Sequence, residues 1–196
     1  MNNLFIDFET SGFPSSKIPA DHPKQAWIVE AAMILMDEQK MIAKYYMQIQ
    51  ADGRSIHPGA QGVHGISVEQ TEANGMPESI FCFILSELLQ KTDLIIGHNV
   101  LFEYSFMKLL FEKNVSERGL EAIKKLPSFC TMKETTDLCK LPGRYGKYKW
   151  PKLTELYACL FDKELTGAHN ALVDTEATQS CYNVLNKINS GYKGDI

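Results

Sequence analysis

The sequence contains no Cys-x-x-Cys pair, and its five cysteines (Cys82, Cys130, Cys139, Cys159 and Cys181) are odd in number and irregular in spacing. That pattern excludes a disulfide framework and a zinc knuckle, and it implies reduced thiols in a cytoplasmic protein. No apolar run reaches the length of a membrane span. Met1-Asn2-Asn3 carries no basic segment, and the apolar stretch after it is broken by Asp7 and Glu9, so no signal peptide fits. Excess positive charge is missing too: the formal net charge of -4 gives no global attraction to nucleic acid or to an anionic membrane. A phosphate-bearing partner would have to be met by a local basic patch or by bound cations. Neither a Gly-x-Ser-x-Gly turn nor a Gly-Lys-Ser/Thr loop occurs, which leaves serine-hydrolase and nucleotide-triphosphatase chemistry without support.

What is present is an ordinary globular composition, 44% hydrophobic and 22% charged over 196 residues, enough for one domain with a substantial core. We place that domain at residues 1–189, with 190–196 as a frayed tail. The segments 3–9, 27–37 and 41–49 read as strands, the last two joined by the short linker Glu38-Gln39-Lys40 in an antiparallel meander. Residues 51–75 read as irregular, with one short helix around Ser67–Glu72. Pro77 opens a helix to about Gln90, 93–97 is a short buried strand, and the stretch GHNVLFEYSFMKLL (97–110) starts a helix reaching Lys113. Residues 116–126 are a charged helix or loop, 129–131 a short strand, 132–141 a short helix and 153–161 a helix. The last helix starts near Asn170, with Val173, Ala177, Cys181, Val184 and Ile188 on its buried face. This order is α/β: a mixed five-stranded sheet, antiparallel meander plus parallel strands, flanked by helices.

Acidic residues stand out against this frame. Asp7 and Glu9 are two apart in a strand, so both project from one face. Glu103 has apolar neighbours at three and four residues (Val100, Phe106, Met107), where a carboxylate is costly unless paired, protonated or metal-bound. The next acid on that helix, Glu112, lies roughly 13 Å further along the axis and cannot replace it. Asp174 falls in the first turns of the last helix, with His169 five residues earlier. Taken singly, each of the acids other than Glu103 reads more readily as an ordinary strand-end or helix-start acid. Together, four carboxylates suit hard divalent cations such as Mg²⁺ or Mn²⁺. Two such ions about 3.5–4 Å apart can hold the attacking and leaving oxygens of a phosphodiester. A histidine, which titrates near neutrality, can take the proton of the attacking water.

Three segments, IDFETSGF (6–13), GHNVLFEYSF (97–106) and AHNALVDTEAT (168–178), resemble the three exonuclease motifs of DEDDh-type 3′–5′ exonucleases, a family that includes proofreading epsilon subunits of bacterial DNA polymerase III. VHGIS (63–67) and KWPKLTELYACLF (149–161) are similar to its intervening segments. The resemblance implies a ribonuclease-H-like fold. It also implies that Asp7, Glu9, Glu103 and Asp174 bind two Mg²⁺ or Mn²⁺ ions and that His169 is the general base. It further places Thr10 and Phe13 beside the 3′-terminal nucleotide, Asn99 and Phe102 in the nucleotide pocket, and His64 on the substrate side. The family usually has aspartate where this chain has Glu103; the extra methylene keeps the charge and moves the carboxylate outward by a bond length.

The implied activity is release of nucleoside monophosphates from a single-stranded 3′ end, with DNA ahead of short RNA. A catalytically weak nucleic-acid-binding or polymerase-accessory protein is the other reading. Docking onto a replication polymerase is implied by the proofreading relatives. The few residues after the last helix leave no room for the docking segment such subunits often carry, which favours a free-standing enzyme. Lys140, Arg144, Lys147, Lys149 and Lys152, interleaved with Tyr145, Tyr148 and Trp150, read equally as a strand-guiding surface and as a solvated loop.

Overall fold

The computed structural model describes residues 1–38 and 40–189; the expected frayed tail and Gln39 of the hairpin linker lie outside the described residues. Five strands, β1 (Asn2–Thr10), β2 (Ile28–Asp37), β3 (Lys40–Gln48), β4 (Leu94–Gly97) and β5 (Ser128–Cys130), form one sheet in the order β3-β2-β1-β4-β5. β1–β2 and β2–β3 are antiparallel, whereas β1–β4 and β4–β5 are parallel, giving the mixed sheet with flanking helices that the ribonuclease-H-like expectation requires. The hairpin pairs Asp37 with Lys40.

Nine helices connect and cover the sheet among the described residues: α1 (Pro58–His64), α2 (Val68–Asn74), α3 (Glu78–Leu89), α4 (Val100–Lys113), α5 (Glu117–Lys125), α6 (Thr131–Glu134), α7 (Thr136–Cys139), α8 (Leu153–Phe161) and α9 (Ala171–Asn189). Segment 51–75 is more regular than its composition suggests. His57 acts as the N-cap of α1, its Nδ1 accepting from the Gly59 amide, and Pro58 supplies a preset first turn. α2 carries the Ser67–Gln70 capping box. The expected helix over 132–141 is broken into two single turns at Thr135.

Period-two alternation divides β1 between two cores. Leu4, Ile6 and Phe8 join Phe81, Leu85, Phe106, Met107 and Phe111 of α3 and α4 on one side of the sheet. Phe5 faces the other way, into a smaller cluster with Ile34, Ile96 and Tyr182 of α9, the two rings meeting edge-on at 5.5 Å. Asp7 and Glu9 continue the Phe5 face and therefore point to the α9 side. β1 pairs with β4 only through Phe5, so beyond that point the strand is free of its parallel neighbour. The last helix buries Ala177, Cys181, Tyr182, Val184 and Leu185, while Ile188 is 44% exposed, correcting its expected place on the buried face. Leu185 follows at the four-residue spacing of 173–177–181 and carries the buried stripe to its end. No helix among the described residues is long and apolar enough to cross a membrane.

Gly119 lets α5 approach α4: a Cβ there would stand 2.4 Å from the fully buried Phe111 ring. Gly119→Ala should lower unfolding free energy by about 1–3 kcal/mol through overpacking. Urea denaturation checks this, and an unchanged midpoint would show that the α4–α5 contact is not close-packed.

Candidate active site

The strand ends and the start of α9 bring the acids together. Ligand atoms of Glu9, His169 and Asp174 all lie within 4.8 Å of one another. Asp7 and Glu103 stand within electrostatic reach of the same group. Burial, and then the charges of Glu103, Asp174 and Glu9, push the Asp7 carboxyl well above the usual aspartate range. Burial first and the Glu9 charge next raise Glu103 to about 8. Glu9 is raised to about 7 by burial and by Asp174 and Glu30. Asp174 is also raised by burial, against the hydrogen bond from the His169 amide and the nearby imidazole.

Local structure explains how these groups arrive. Asn170 Oδ1 caps α9 by accepting from Val173 N, and Asp174 Oδ2 accepts from His169 N at 3.0 Å. His169 is therefore tied to the carboxylate beside it, in a left-handed conformation with φ 69° and its side chain exposed. Asn99 takes the same kind of conformation (φ 77°) where β4 turns into α4, so that Glu103 falls in the first turn. Just before it, His98 donates from Nε2 to the Pro151 carbonyl at 3.0 Å, with Nδ1 3.0 Å from the Thr131 hydroxyl, and burial lowers its pKa to about 4. That contact ties the basic loop before α8 to the start of α4.

The residues fit a hard divalent cation on two observations. Glu103 Oε2 and Asp174 Oδ1 are buried carboxylate oxygens with no hydrogen-bond partner. The surrounding acids suffer mutual repulsion that a cation would relieve. His169 adds a nitrogen within 4.8 Å of the Glu9 and Asp174 carboxylate oxygens.

A groove of about 860 Å³ has Glu9 in its wall and is lined further by Thr10, Phe13, His64 and Phe102 among others. Thr10 is buried, its hydroxyl donating to Gly12 O at 3.0 Å, whereas Phe13 is 88% exposed and meets the Phe102 ring edge-on at 6.4 Å. His64 accepts from Ile66 N at Nδ1 and leaves its buried Nε2 unpaired near the Thr10 main chain. Asn99 is exposed and is not part of this lining. Sequence reading passed over Glu30, which is 1% exposed in β2 beside Glu9 in the ladder. The signal was available: a carboxylate inside the apolar run WIVEAAMILM raises the same question that Glu103 does.

Residues 4–182 match the model of the RNase_T exonuclease family, and the chain belongs to that family. A comparison with curated proteins returned no match. Among solved structures, E. coli exonuclease I in complex with a dT13 oligonucleotide superposes with TM-score 0.77 at 23% identity, covering 97% of this chain and 42% of that one. The complex of the same enzyme with dA16 gives TM-score 0.75 at 23% identity, covering 97% and 41%. Its zinc-bound complex with single-stranded DNA gives the same TM-score, identity and coverage. These likenesses establish the shared fold, and the chain spans about two fifths of the length of the solved structures it matches.

The raised carboxyl values make stability depend on pH. In the metal-free protein Glu9 and Glu103 bind protons more tightly folded (about 7 and about 8) than at their ordinary 4.5. Their contribution is complete below about pH 4.5 and is lost as the pH rises through about 8. Urea stability in EDTA should therefore fall between pH 5 and roughly 8.5, and Mn²⁺ added at the upper end should restore it. A flat profile would show that the site acids ionise independently.

Proposed function

We propose that the chain is a metal-dependent 3′–5′ exonuclease that releases nucleoside monophosphates from single-stranded 3′ ends, DNA in preference to RNA. The observation that carries this reading is the convergence of Glu9, His169 and Asp174 within 4.8 Å, backed by Asp7 and Glu103, with Glu9 also lining the aromatic-edged groove. Membership of an exonuclease family supports it, and the DNA and zinc complexes of exonuclease I support both the substrate and the metal.

Asp7, Glu9, Glu103 and Asp174 would hold two divalent cations, Mg²⁺ or Mn²⁺. Bound there, the cations supply charge neutralisation at the phosphodiester and make water more acidic. His169 accepts the proton of the attacking water on a ring nitrogen. Its exposure leaves the ring open to solvent, and the hydrogen bond from its amide to Asp174 keeps it beside the acids. Phe13 and Phe102 form an apolar edge on which a terminal base stacks, and the Thr10 main chain lies alongside.

The assay uses 3′-labelled DNA and RNA oligonucleotides of one sequence with Mg²⁺ or Mn²⁺. The protein should release mononucleotides, DNA faster than RNA, and Asp7→Ala should not. Equal activity in both proteins, or none in either with both metals, removes the enzyme reading, and faster RNA cleavage reverses the sugar preference. Glu103→Asp should retain cleavage to within about a hundredfold, the cost of an ångström-scale misplacement, while Glu103→Gln should nearly abolish it. Full activity of Glu103→Gln would show that this carboxylate holds no metal.

A further inference from the structure

The loop that carries His169 is held by two residues with no role in the reading above. Glu30 Oε1 accepts from the Tyr46 hydroxyl at 2.9 Å, and Glu30 Oε2 accepts from Ala171 N at 3.1 Å and Asn170 Nδ2 at 3.3 Å. Asn170 Nδ2 also donates to the Tyr46 oxygen at 2.7 Å. Strands β2 and β3 thus grip the first residues of α9 across more than a hundred residues of chain. The buried carboxylate is satisfied by these donors and by the positive end of the helix.

His169 immediately precedes this anchor. A left-handed conformation at a residue with a Cβ persists only where its surroundings over-determine it. On its N-terminal side stands Gly167, itself at positive φ (76°), which offers little restraint. On the C-terminal side stand Asn170 and Ala171, both bonded to Glu30. The direction of the imidazole is therefore set from that side, by the bond from the His169 amide to Asp174 and by the Glu30 network that fixes the two residues after it.

We propose that Glu30 and Tyr46 are positioning residues, which hold residues 169–171 so that the His169 imidazole faces Glu9 and Asp174. The proposal rests on the reading of His169 as the proton acceptor. It assigns to two residues on neighbouring strands an effect on the rate of the chemical step and none on substrate binding.

Tyr46→Phe is the primary variant, because the residue is 45% exposed and the substitution removes only the hydroxyl. With saturating Mn²⁺ and a 3′-labelled single-stranded oligonucleotide, kcat should fall about three- to tenfold, one net hydrogen bond, with KM unchanged and the melting temperature lowered by no more than a few degrees. Glu30→Gln should lower kcat further, on the order of tenfold to a hundredfold. In a His169→Ala background, Tyr46→Phe should cause no additional loss, since the group it positions is gone. Wild-type kcat in Tyr46→Phe, or an equal loss with and without His169, would overturn the proposal. Wild-type protein that cleaves, loses activity in Asp7→Ala and is indifferent to Tyr46→Phe removes the positioning role alone. Wild-type protein that cleaves nothing removes the exonuclease reading and this proposal with it.

Discussion

Like charge at close range is the constraint on which the rest of this structure depends. Asp7, Glu9, Glu103 and Asp174 are drawn together, with the buried Glu30 behind them, and burial raises the proton affinity of all four of the converging acids. The repulsion among these side chains opposes such a gathering. The surrounding cores enforce it: Leu4, Ile6 and Phe8 lock β1 against α3 and α4, and Phe5 with Tyr182 locks it against α9. Stability from apolar burial is thereby committed to a cluster that is unfavourable until a proton or a cation enters it.

Each acid reaches the cluster by a different route. Asp7 and Glu9 arrive by strand alternation, Glu103 by the first turn of a helix that begins where β4 ends, and Asp174 by the capped start of α9. The register irregularity between Glu9 and Thr10 closes the strand at this point and turns the chain toward Phe13 and the groove. The helix dipoles at the starts of α4 and α9 favour Glu103 and Asp174 as anions, so the least accommodated charge lies at Asp7 on the strand.

Much of this was legible in the sequence. The strands, α4 and α9 follow from apolar periodicity, and Glu103 stands out as a carboxylate in an apolar stripe, whereas Asp7, Glu9, His169 and Asp174 are picked out by the resemblance of their segments to the exonuclease motifs. The parts that were not legible have specific causes. Helix α1 begins at a histidine cap, a residue type that sequence patterns seldom treat as a capping group. The left-handed turns at Asn99 and His169 occur at residues whose chemistry does not demand them. Glu30 was visible as a charge in an apolar strand, yet its partners, Tyr46 and Asn170, lie 16 and 140 residues away and become neighbours only once the sheet and α9 have assembled.

The chain order of the site has a consequence for dissecting the molecule. Between α4 and α5 the backbone passes through Val115, 80% exposed and outside any helix. Everything before that point carries Asp7, Glu9 and Glu103 together with four of the five strands, and everything after it carries β5, α8, α9, His169 and Asp174. A chain divided there would separate His169 and one carboxylate from the other three. Activity would then serve as a complementation signal, present only where two fragments, each fused to a different bait, are brought together by their partners.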